Sequence, residues 1–332
     1  MKRFFKFCLL LCLPVFLMAI FYIVLDPFKV IWHYDLYYQS DDFIQLNRGF
    51  VSAMHYANHH EEYHYDSYIF GNSGSIAYHE EDWKKYIPET SVCYHFDVFG
   101  GSVGDLYGGI KYVSRQGDLK NVLMILDIGS LSTSENKGIL FSVPPILKKS
   151  NLFKFHIDFF MAFYKIDFFL SYIDYRMNQQ FNPDMEGRLI NPNWKLGYNP
   201  INNELIWEKQ EESIEKGTYY DANRIRIIEQ GQFPEKVAKP GINKERMDMI
   251  RKMKAIFDAQ MTNYRIVIGP SHNQVRINPD DLQFLYDVFG QEYVFDFSGI
   301  NRWIFDYHNY YDAGHYRSCV ANEIMQIVYS KK

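Results

Sequence analysis

The most constraining feature of the sequence is an uncharged, apolar run near its N-terminus. The run extends from Phe7 to Leu25 and contains 19 residues. As a helix it would be about 28 Å long, close to the roughly 30 Å thickness of a membrane's hydrocarbon core. The basic residues Lys2, Arg3 and Lys6 precede it. The positive-inside rule therefore predicts a cytoplasmic N-terminus and an exported remainder.

A cleaved signal peptide is the alternative interpretation of this segment. The apolar core of a signal peptide usually has about 7–15 residues and ends in an A-x-A-like site, and neither property fits here. Cys12 follows a leucine instead of the small residue expected in a lipoprotein signal. The sequence favours an uncleaved, single-pass anchor in the cytoplasmic membrane of a bacterium. The C-terminal domain is then expected on the extracytoplasmic side, periplasmic or outer.

The charge of the remaining chain narrows the function classes. The 332-residue protein has a formal net charge of −5, and the three N-terminal basic residues leave −8 for residues 26–332. Nucleic-acid affinity comes mainly from Lys and Arg side chains that neutralise phosphates. We therefore expect no nucleic-acid partner. The 47% of hydrophobic residues is ample for a large buried core.

Short apolar runs alternate with amphipathic segments over most of the chain. Runs at 67–70, 122–130, 264–271 and 292–299 are typical of strands buried on both faces. Helical patterns occur at 106–117, 242–261, 279–290 and 316–330. This alternation predicts βαβ units and a parallel sheet that helices cover on both faces.

The organisation along the chain predicts three parts. Residues 1–28 are the cytoplasmic tail and transmembrane anchor, 29–64 a juxtamembrane connector with a helix, and 65–332 an α/β domain with an insertion at about 140–240. The insertion contains a Phe- and Tyr-rich helical stripe at 152–173. We expect this stripe to pack against the sheet domain, and a cradle for an acyl chain or a contact with the membrane is the alternative.

Two segments can carry chemistry, because ligands of open parallel sheets bind at the carboxyl ends of the strands. The sequence G-N-S-G-S at 71–75 follows the first predicted strand. A serine in such a turn lies near helix amides that can stabilise an oxyanion, but it needs a neighbouring base. Asp312 and His315, just before the last helix, can supply that base and the acid that orients it. Each segment alone also fits an ordinary helix cap.

The combination resembles the SGNH/GDSL-type hydrolases, in which the nucleophilic serine lies in the first sequence block and a D-x-x-H in the last. The anchored topology is similar to the branch that includes the D-alanyl transfer protein of teichoic acid synthesis, and alginate-type O-acetyltransferases are a looser comparison. The resemblance covers about residues 65–330 and implies a three-layer α/β/α, flavodoxin-like fold. It implies Ser73 as nucleophile, His315 as general base and Asp312 as orienting acid, with Ser75 as the alternative nucleophile.

The middle blocks of that family match less closely. The resemblance implies a glycine amide in the oxyanion hole, for which Gly101 is the first candidate and Gly100 the alternative. The third block of the family typically reads G-x-N-D, whereas the strand here ends in D-I-G-S at 127–130. Removing one oxyanion donor can cost about 10²–10³ in rate. Ser130 at this strand end and Asn273 at a neighbouring one are the candidates for oxyanion or substrate binding in its place.

Histidines and cysteines suggest no metal site. The pattern H-x3-H-H-x3-H at 55–64 could hold a metal, but no cysteine joins it and Glu61 and Glu62 fit a solvated helix end. Cys93 and Cys319 are the cysteines of the predicted exported part, and a disulfide or two thiols remain open for them. We expect no metal and no cofactor.

The sequence thus predicts a membrane-anchored, extracytoplasmic, SGNH-like serine esterase or O-acyltransferase. It would act on acyl groups of envelope glycans through an acyl-serine intermediate. The expected partners are an acylated glycan or acyl donor, the membrane and the machinery of envelope polysaccharide synthesis. The alternative is a catalytically inactive, SGNH-like glycan-binding or assembly subunit of such a system.

Overall fold

The computed structural model of the chain describes residues 2–39, 44–133, 138–148, 151–182, 185, 196–229 and 235–330, with side chains from residue 12 onward. The chain divides into two compact units. The first comprises Met1–Asn47 and Ser150–Lys195, and the second Arg48–Lys149 and Leu196–Lys332. Within the predicted insertion at 140–240, residues 149–150, 183–184, 186–195 and 230–234 lie outside the described residues.

The described residues form α-helices, 3₁₀ helices and strands in alternation. The α-helices are α1 (Lys2–Leu25), α2 (Arg48–Tyr63), α3 (Glu80–Trp83), α4 (Val103–Val113), α5 (Ile128–Ser132), α6 (Leu152–Phe163), α7 (Ile166–Asn178), α8 (Glu208–Glu215), α9 (Ala222–Glu229), α10 (Lys244–Ala259), α11 (Pro279–Phe289) and α12 (Ser318–Ser330). The strands are β1 (Ser67–Gly71), β2 (Cys93–Asp97), β3 (Asn121–Leu126), β4 (Gly197–Tyr198), β5 (Leu205–Ile206), β6 (Lys236–Val237), β7 (Asn263–Ile268), β8 (Val275–Arg276) and β9 (Val294–Asp296).

In the first unit the N-terminal segment packs against the two aromatic helices α6 and α7. The rings of Phe21 and Tyr22 lie 6.2 Å and 5.6 Å from the ring of Phe163 in α6. Phe28 stacks on Phe168 in α7 with the ring centroids 5.1 Å apart. Such aromatic pairs add to the free energy gained by burial alone. The N-terminal segment is therefore a packing partner of the Phe/Tyr stripe, a pairing that the sequence analysis did not anticipate.

Helix α1 runs without interruption through the predicted anchor, and Pro14 lies inside it. Large apolar side chains in its described part are exposed, among them Val15, Phe16, Leu17 and Val24. In the part of the chain that the structure describes, no helix is both long enough and apolar enough to cross a membrane.

The second unit is built on a five-stranded sheet of order β2-β1-β3-β7-β9. All neighbouring strands in this sheet run parallel. Every residue of β1 and of β3 is buried, because hydrophobic clusters formed with the flanking helices lie against the sheet. The predicted α/β architecture with a parallel sheet flanked by helices is confirmed.

Strand β2 and helix α2 differ from the sequence prediction because both depend on tertiary contacts. Strand β2 was not predicted, because His95 and Asp97 interrupt its apolar character. Both are buried, and Asp97 pairs with the guanidinium of Arg48, the first residue of α2, whose Nε lies 2.7 Å from Oδ1. Helix α2 consequently belongs to the sheet unit, although we had predicted it as part of a connector at 29–64.

The ends of β1 and β3 differ from the predicted pattern and create the site. The turn after β1 is a 3₁₀ helix, Ser73–Ala77, and β3 ends at Leu126 although the apolar pattern predicted a strand to residue 130. The strand stops because Asp127 caps helix α5 through the amide of Ser130. Strands β1 and β3 are neighbours, but β1 is followed in the chain by β2 on one side and β3 by β7 on the other. Such a switch point opens a crevice at the carboxyl ends of the strands.

Candidate active site

Ser73, His315 and Asp312 form one hydrogen-bonded chain. The Oγ of Ser73 lies 2.9 Å from Nε2 of His315. The Nδ1 of His315 lies 2.9 Å from each carboxylate oxygen of Asp312. These distances are those of direct hydrogen bonds. The structure thus brings together the three residues that the sequence analysis had joined from opposite ends of the chain.

The loop that carries Asp312 keeps its carboxyl group ionised. The amides of Gly314 and His315 donate to Oδ1 at 2.7 Å and 2.9 Å. Burial alone would raise the pKa of Asp312, but the hydrogen bond and charge of His315 and these two amides lower the pKa below 3.8. An ionised carboxylate only accepts hydrogen bonds, so Nδ1 of His315 carries the proton. In the neutral imidazole, Nε2 is then the acceptor that faces Ser73.

The turn that presents Ser73 is fixed by Asn72. The Oδ1 of Asn72 accepts from the amide of Gly74 at 2.9 Å, and its Nδ2 donates to Oδ2 of Asp127 at 2.6 Å. The close turn also requires a glycine before it, because a Cβ on Gly71 would lie 2.5 Å from the Cβ of Ser75. These contacts hold the Ser73 turn against the end of the neighbouring strand.

Ser75, the alternative nucleophile, lies in a different environment. It is 0% exposed, whereas Ser73 is only partly buried. The hydroxyl of Ser75 donates to the carbonyl of Asn72 at 2.7 Å, so Nε2 of His95, at 2.9 Å, is the donor toward it. Ser75 therefore faces a donor inside the core instead of a base at the surface, and the geometry favours Ser73.

The three residues considered for oxyanion or substrate binding are each engaged elsewhere. The amide of Gly101 donates to the carbonyl of Val98 at 2.8 Å. Ser130 belongs to the cap of α5, with its amide on Asp127, and Oδ1 of the exposed Asn273 accepts from the amide of Val275 at 3.1 Å. Within the described residues, no hydrogen bond joins Gly101, Ser130 or Asn273 to Ser73. Their role in catalysis stays a prediction.

A segment of the predicted insertion holds the loop of Asp312 and His315, and the sequence analysis missed it. Glu211 in α8 accepts from the hydroxyl of Tyr311 at 2.6 Å and from Nε of Arg317 at 2.9 Å. It thereby binds the residues on both sides of the Asp312–His315 loop. Burial would raise the pKa of Glu211, but the hydrogen bonds of Arg317 and Tyr311 lower it.

An aromatic contact supports the same loop. The indole of Trp207 stacks on Tyr311 with centroids 4.9 Å apart and lies 5.6 Å from the ring of His315. The hydroxyl of Tyr219 also donates to the carbonyl of Tyr311 at 3.0 Å. Part of the surplus chain at 140–240 therefore holds the Asp312–His315 loop in position. Its only sequence signal was its length, since long excursions often serve a site.

A second chain of serine, histidine and carboxylate lies close to the first in sequence. The Nδ1 of His79 lies 2.9 Å from the buried carboxylate of Glu204, and its Nε2 lies 2.7 Å from Oγ of Ser318. Burial would lower the pKa of His79, but the hydrogen bond and charge of Glu204 raise it above 6.5. Ser318 is the first residue of α12 and does not follow a strand of the sheet, so we interpret this chain as a link between α12 and the segment of Glu204.

The predicted histidine group at 55–64 serves packing. The Nε2 of His55 donates to the carbonyl of Pro200 at 2.7 Å, and its ring lies 4.5 Å from that of His59. Burial lowers the pKa of His55 to about 3, so the side chain is neutral. Among the residues that the structure describes, no group of three or more His, Cys, Asp or Glu side chains is arranged to hold a metal ion. Cys93 and Cys319 are both free thiols.

No protein-family model, no curated protein and no solved structure matches this chain. The assignment of a function therefore depends on the geometry of the site. A serine that donates to an imidazole, itself oriented by a carboxylate, has the arrangement needed to attack an acyl carbon.

Proposed function

We propose that this protein is an SGNH-like serine esterase or O-acyltransferase that acts on acyl groups of envelope glycans. The observation that carries the proposal is the chain from Ser73 through His315 to Asp312, with each distance at 2.9 Å. The sheet supports it, because its strands lie in the order second, first, third, fourth, fifth, which is the order of flavodoxin-like folds.

The geometry supports a two-step reaction. The Oγ of Ser73 attacks the carbonyl carbon of the acyl ester while Nε2 of His315 accepts the hydroxyl proton. When the tetrahedral intermediate collapses, the bond to the alcohol breaks, and His315 returns the proton to the departing oxygen. Water or an acceptor hydroxyl then gives its proton to His315 and attacks the carbonyl carbon of acyl-Ser73. The bond from this carbon to Oγ breaks, His315 returns the proton to Oγ of Ser73, and an acid or a transferred ester leaves. Asp312 stabilises the imidazolium in both steps.

The oxyanion requires donors at the same turn. Ser73 begins a 3₁₀ helix directly after β1, so its amide is our candidate for the first donor. The amide of Gly101 would have to leave the carbonyl of Val98 to become a second one. The loss of one donor reduces the rate by about 10²–10³. We therefore expect slow turnover with simple esters.

We also propose that the first unit attaches the protein to the cytoplasmic membrane, with the sheet unit on the extracytoplasmic side. Basic residues lie in the first turns of α1, ahead of its uncharged run, which supports a cytoplasmic N-terminus. Exposed apolar side chains on three helices support contact with lipid, for example Val24 in α1, Phe153 in α6 and Ile166 in α7. Resistance of the protein to carbonate extraction and protease access to the sheet unit in intact spheroplasts would test this arrangement.

The catalytic proposal is tested with the full-length protein, a fluorophosphonate probe and p-nitrophenyl acetate. We expect covalent labelling and turnover in the wild type and neither in Ser73→Ala. Ser75→Ala and Ser318→Ala are the matched controls, and both should still be labelled. Labelling of Ser73→Ala at the wild-type rate would refute the assignment of the nucleophile.

A second candidate function is an inactive glycan-binding or assembly subunit of a polysaccharide system. It is favoured by the sequence D-I-G-S at 127–130, which lacks the asparagine of the third block of SGNH hydrolases, and by the engaged amide of Gly101. In this case the wild type would resist the probe but would still bind glycan or copurify with polysaccharide machinery.

A further inference from the structure

The sheet unit contains a cavity of about 400 Å³ that the catalytic chain does not use. Its walls include the carboxylates of Glu80, Glu81 and Glu204, the side-chain amides of Asn199 and Asn202, and the side chain of Ile206. The volume lies in the range of roughly 300–1,000 Å³ that is typical of small-molecule sites. Seven of the eight residues that line it are polar or charged, which suits a ligand rich in hydroxyl groups.

The cavity shares elements with the Ser73 turn and the Asp312–His315 loop. Ile206 borders the cavity, and the next residue, Trp207, lies with its ring 5.6 Å from the ring of His315. Strand β5, which contains Ile206, packs against the 3₁₀ helix that begins with Ser73. On another wall, His79 is bonded to Ser318, three residues after His315. Strand β5 and His79 therefore connect the cavity to the turn of Ser73 and to the segment that follows His315.

The polar walls are held in place before any ligand arrives. Glu204 is only 5% exposed, and its carboxylate accepts from His79 and from the amide of Glu80. Asn202 accepts from the amide of Glu204 and donates to the carboxylate of Glu80. A preorganised set of donors and acceptors loses little entropy on binding.

The charges in the cavity select against anions. Lys84 pairs with Glu80, and His79 pairs with Glu204. Glu81 is exposed at the rim and adds a further negative charge. Even with His79 protonated, the three carboxylates outnumber the two positive charges. A carboxylate or phosphate on a ligand would therefore be repelled.

We propose that this cavity is the subsite for the alcohol part of the substrate, and that it binds a sugar residue without negative charge. The proposal depends on the proposed function for its link to acyl-Ser73. It goes further in naming a non-anionic sugar, neutral or amine-bearing, as the group that accepts or loses the acyl chain. Uronate or phosphate-bearing sugars are excluded from this position.

Binding is measured by calorimetry with full-length Ser73→Ala protein, so that no chemistry is required. The probes are the neutral trisaccharide of N-acetylglucosamine, the glucosamine trisaccharide and trigalacturonate. We expect the first two to bind at least about tenfold more tightly than trigalacturonate. Ile206→Trp, which fills the cavity, should weaken the binding of both by about tenfold or more.

A charge reversal at the rim of the cavity provides a second test if Ile206→Trp fails to fold. Glu81→Lys lies at the exposed rim and should reduce the preference against trigalacturonate by about threefold or more. Glu245→Lys, an exposed reversal in the first turn of α10, is the matched control and should leave the preference unchanged. Equal affinity for all three probes, absence of binding, or equal effects of the two reversals would overturn the proposal. Labelling of Ser73 is read separately, so the two proposals can fail independently.

Discussion

The side-chain amide of Asn72 donates to the carboxylate of Asp127 at 2.6 Å, across 55 residues of sequence. Asn72 follows β1 and Asp127 follows β3, so this bond joins two neighbouring strand ends at the switch point of the sheet. The same carboxylate caps α5, and the same asparagine holds the amide of Gly74. The position of Ser73 therefore depends on a residue of another strand.

Replacement of Asp127 by alanine should affect both stability and the site. The loss of a helix cap lowers the free energy of unfolding by about 1–2 kcal/mol. Because Asn72 also loses its partner, we expect fluorophosphonate labelling of Ser73 to slow by at least about tenfold. Urea unfolding and labelling rates measure the two effects. Asn243→Ala removes the cap of α10 and is the matched control, which should lose stability but keep its labelling rate. Equal labelling rates in the two variants would contradict the role of Asp127.

Asp312→Asn tests the orientation of His315. The amide keeps the size of the carboxyl group but offers a donor that favours the wrong tautomer of the imidazole. We expect esterase activity to fall by a factor on the order of 10³–10⁴. Asp306→Asn is a matched control, because Asp306 also bonds a histidine, His308, at an exposed site. An activity of Asp312→Asn close to that of the wild type would refute the proposed role.

The acid limit of the reaction should not come from Asp312. Its pKa lies below 3.8, because His315 and two amides stabilise the ionised form. The stabilisation is present above pH 3.8 and is lost as the pH falls through the lowered pKa. If activity in acid is already lost at a pH above 3.8, the protonation of another group must be the cause.

The contact between Glu211 and Arg317 should couple the insertion to the catalytic loop. In a double-mutant cycle with Glu211→Gln and Arg317→Met, we expect a coupling free energy of about 1 kcal/mol, because the pair is only partly exposed. Each single variant should also label Ser73 several-fold more slowly. Asp258→Asn, which breaks an exposed pair with Lys254, should change neither quantity measurably. Zero coupling together with wild-type labelling rates would show that the Glu211–Arg317 pair does not position the loop.

The link from Glu204 through His79 to Ser318 should make stability depend on pH. The pKa of His79 is raised above 6.5 by Glu204, so the folded state holds a proton that the unfolded state releases. This contribution is complete below about pH 6.5 and is lost as the pH rises through the raised pKa. The difference in unfolding free energy between wild type and His79→Gln should therefore shrink above pH 6.5. His33→Gln, a change at an exposed histidine, should show no such difference, and a constant difference for His79→Gln would contradict the assignment.

Much of the sheet unit could be predicted from short apolar runs. Strands β1, β3, β7 and β9 overlap the predicted ones, because a strand buried on both faces requires continuous apolar side chains. Strand β2 was not predicted, since the burial of His95 and Asp97 depends on partners elsewhere in the chain. Asp97 is paired with Arg48 and His95 with Ser75, and neither pairing has a local signal.

The aromatic stripe shows a related limit. Its helical period was visible at 152–173, but its packing partner was not. Hydrophobic contact is non-directional, so an apolar helix face does not specify which segment will cover it. The rings meet Phe21, Tyr22 and Phe28, more than 100 residues earlier.

The sequence by itself determined the residue types of the chain from Ser73 to Asp312, because serine at a strand end and a D-x-x-H before the last helix are local patterns. Only the tertiary structure decided that Ser73 and not Ser75 faces a base, since burial and hydrogen-bond direction depend on His95 and His315. It also decided that Glu211 and Trp207 contact the Asp312–His315 loop and that a cavity with polar walls lies beside β5. These features arise where distant segments meet at the edge of one sheet, and contacts of that kind leave no periodic trace in the chain.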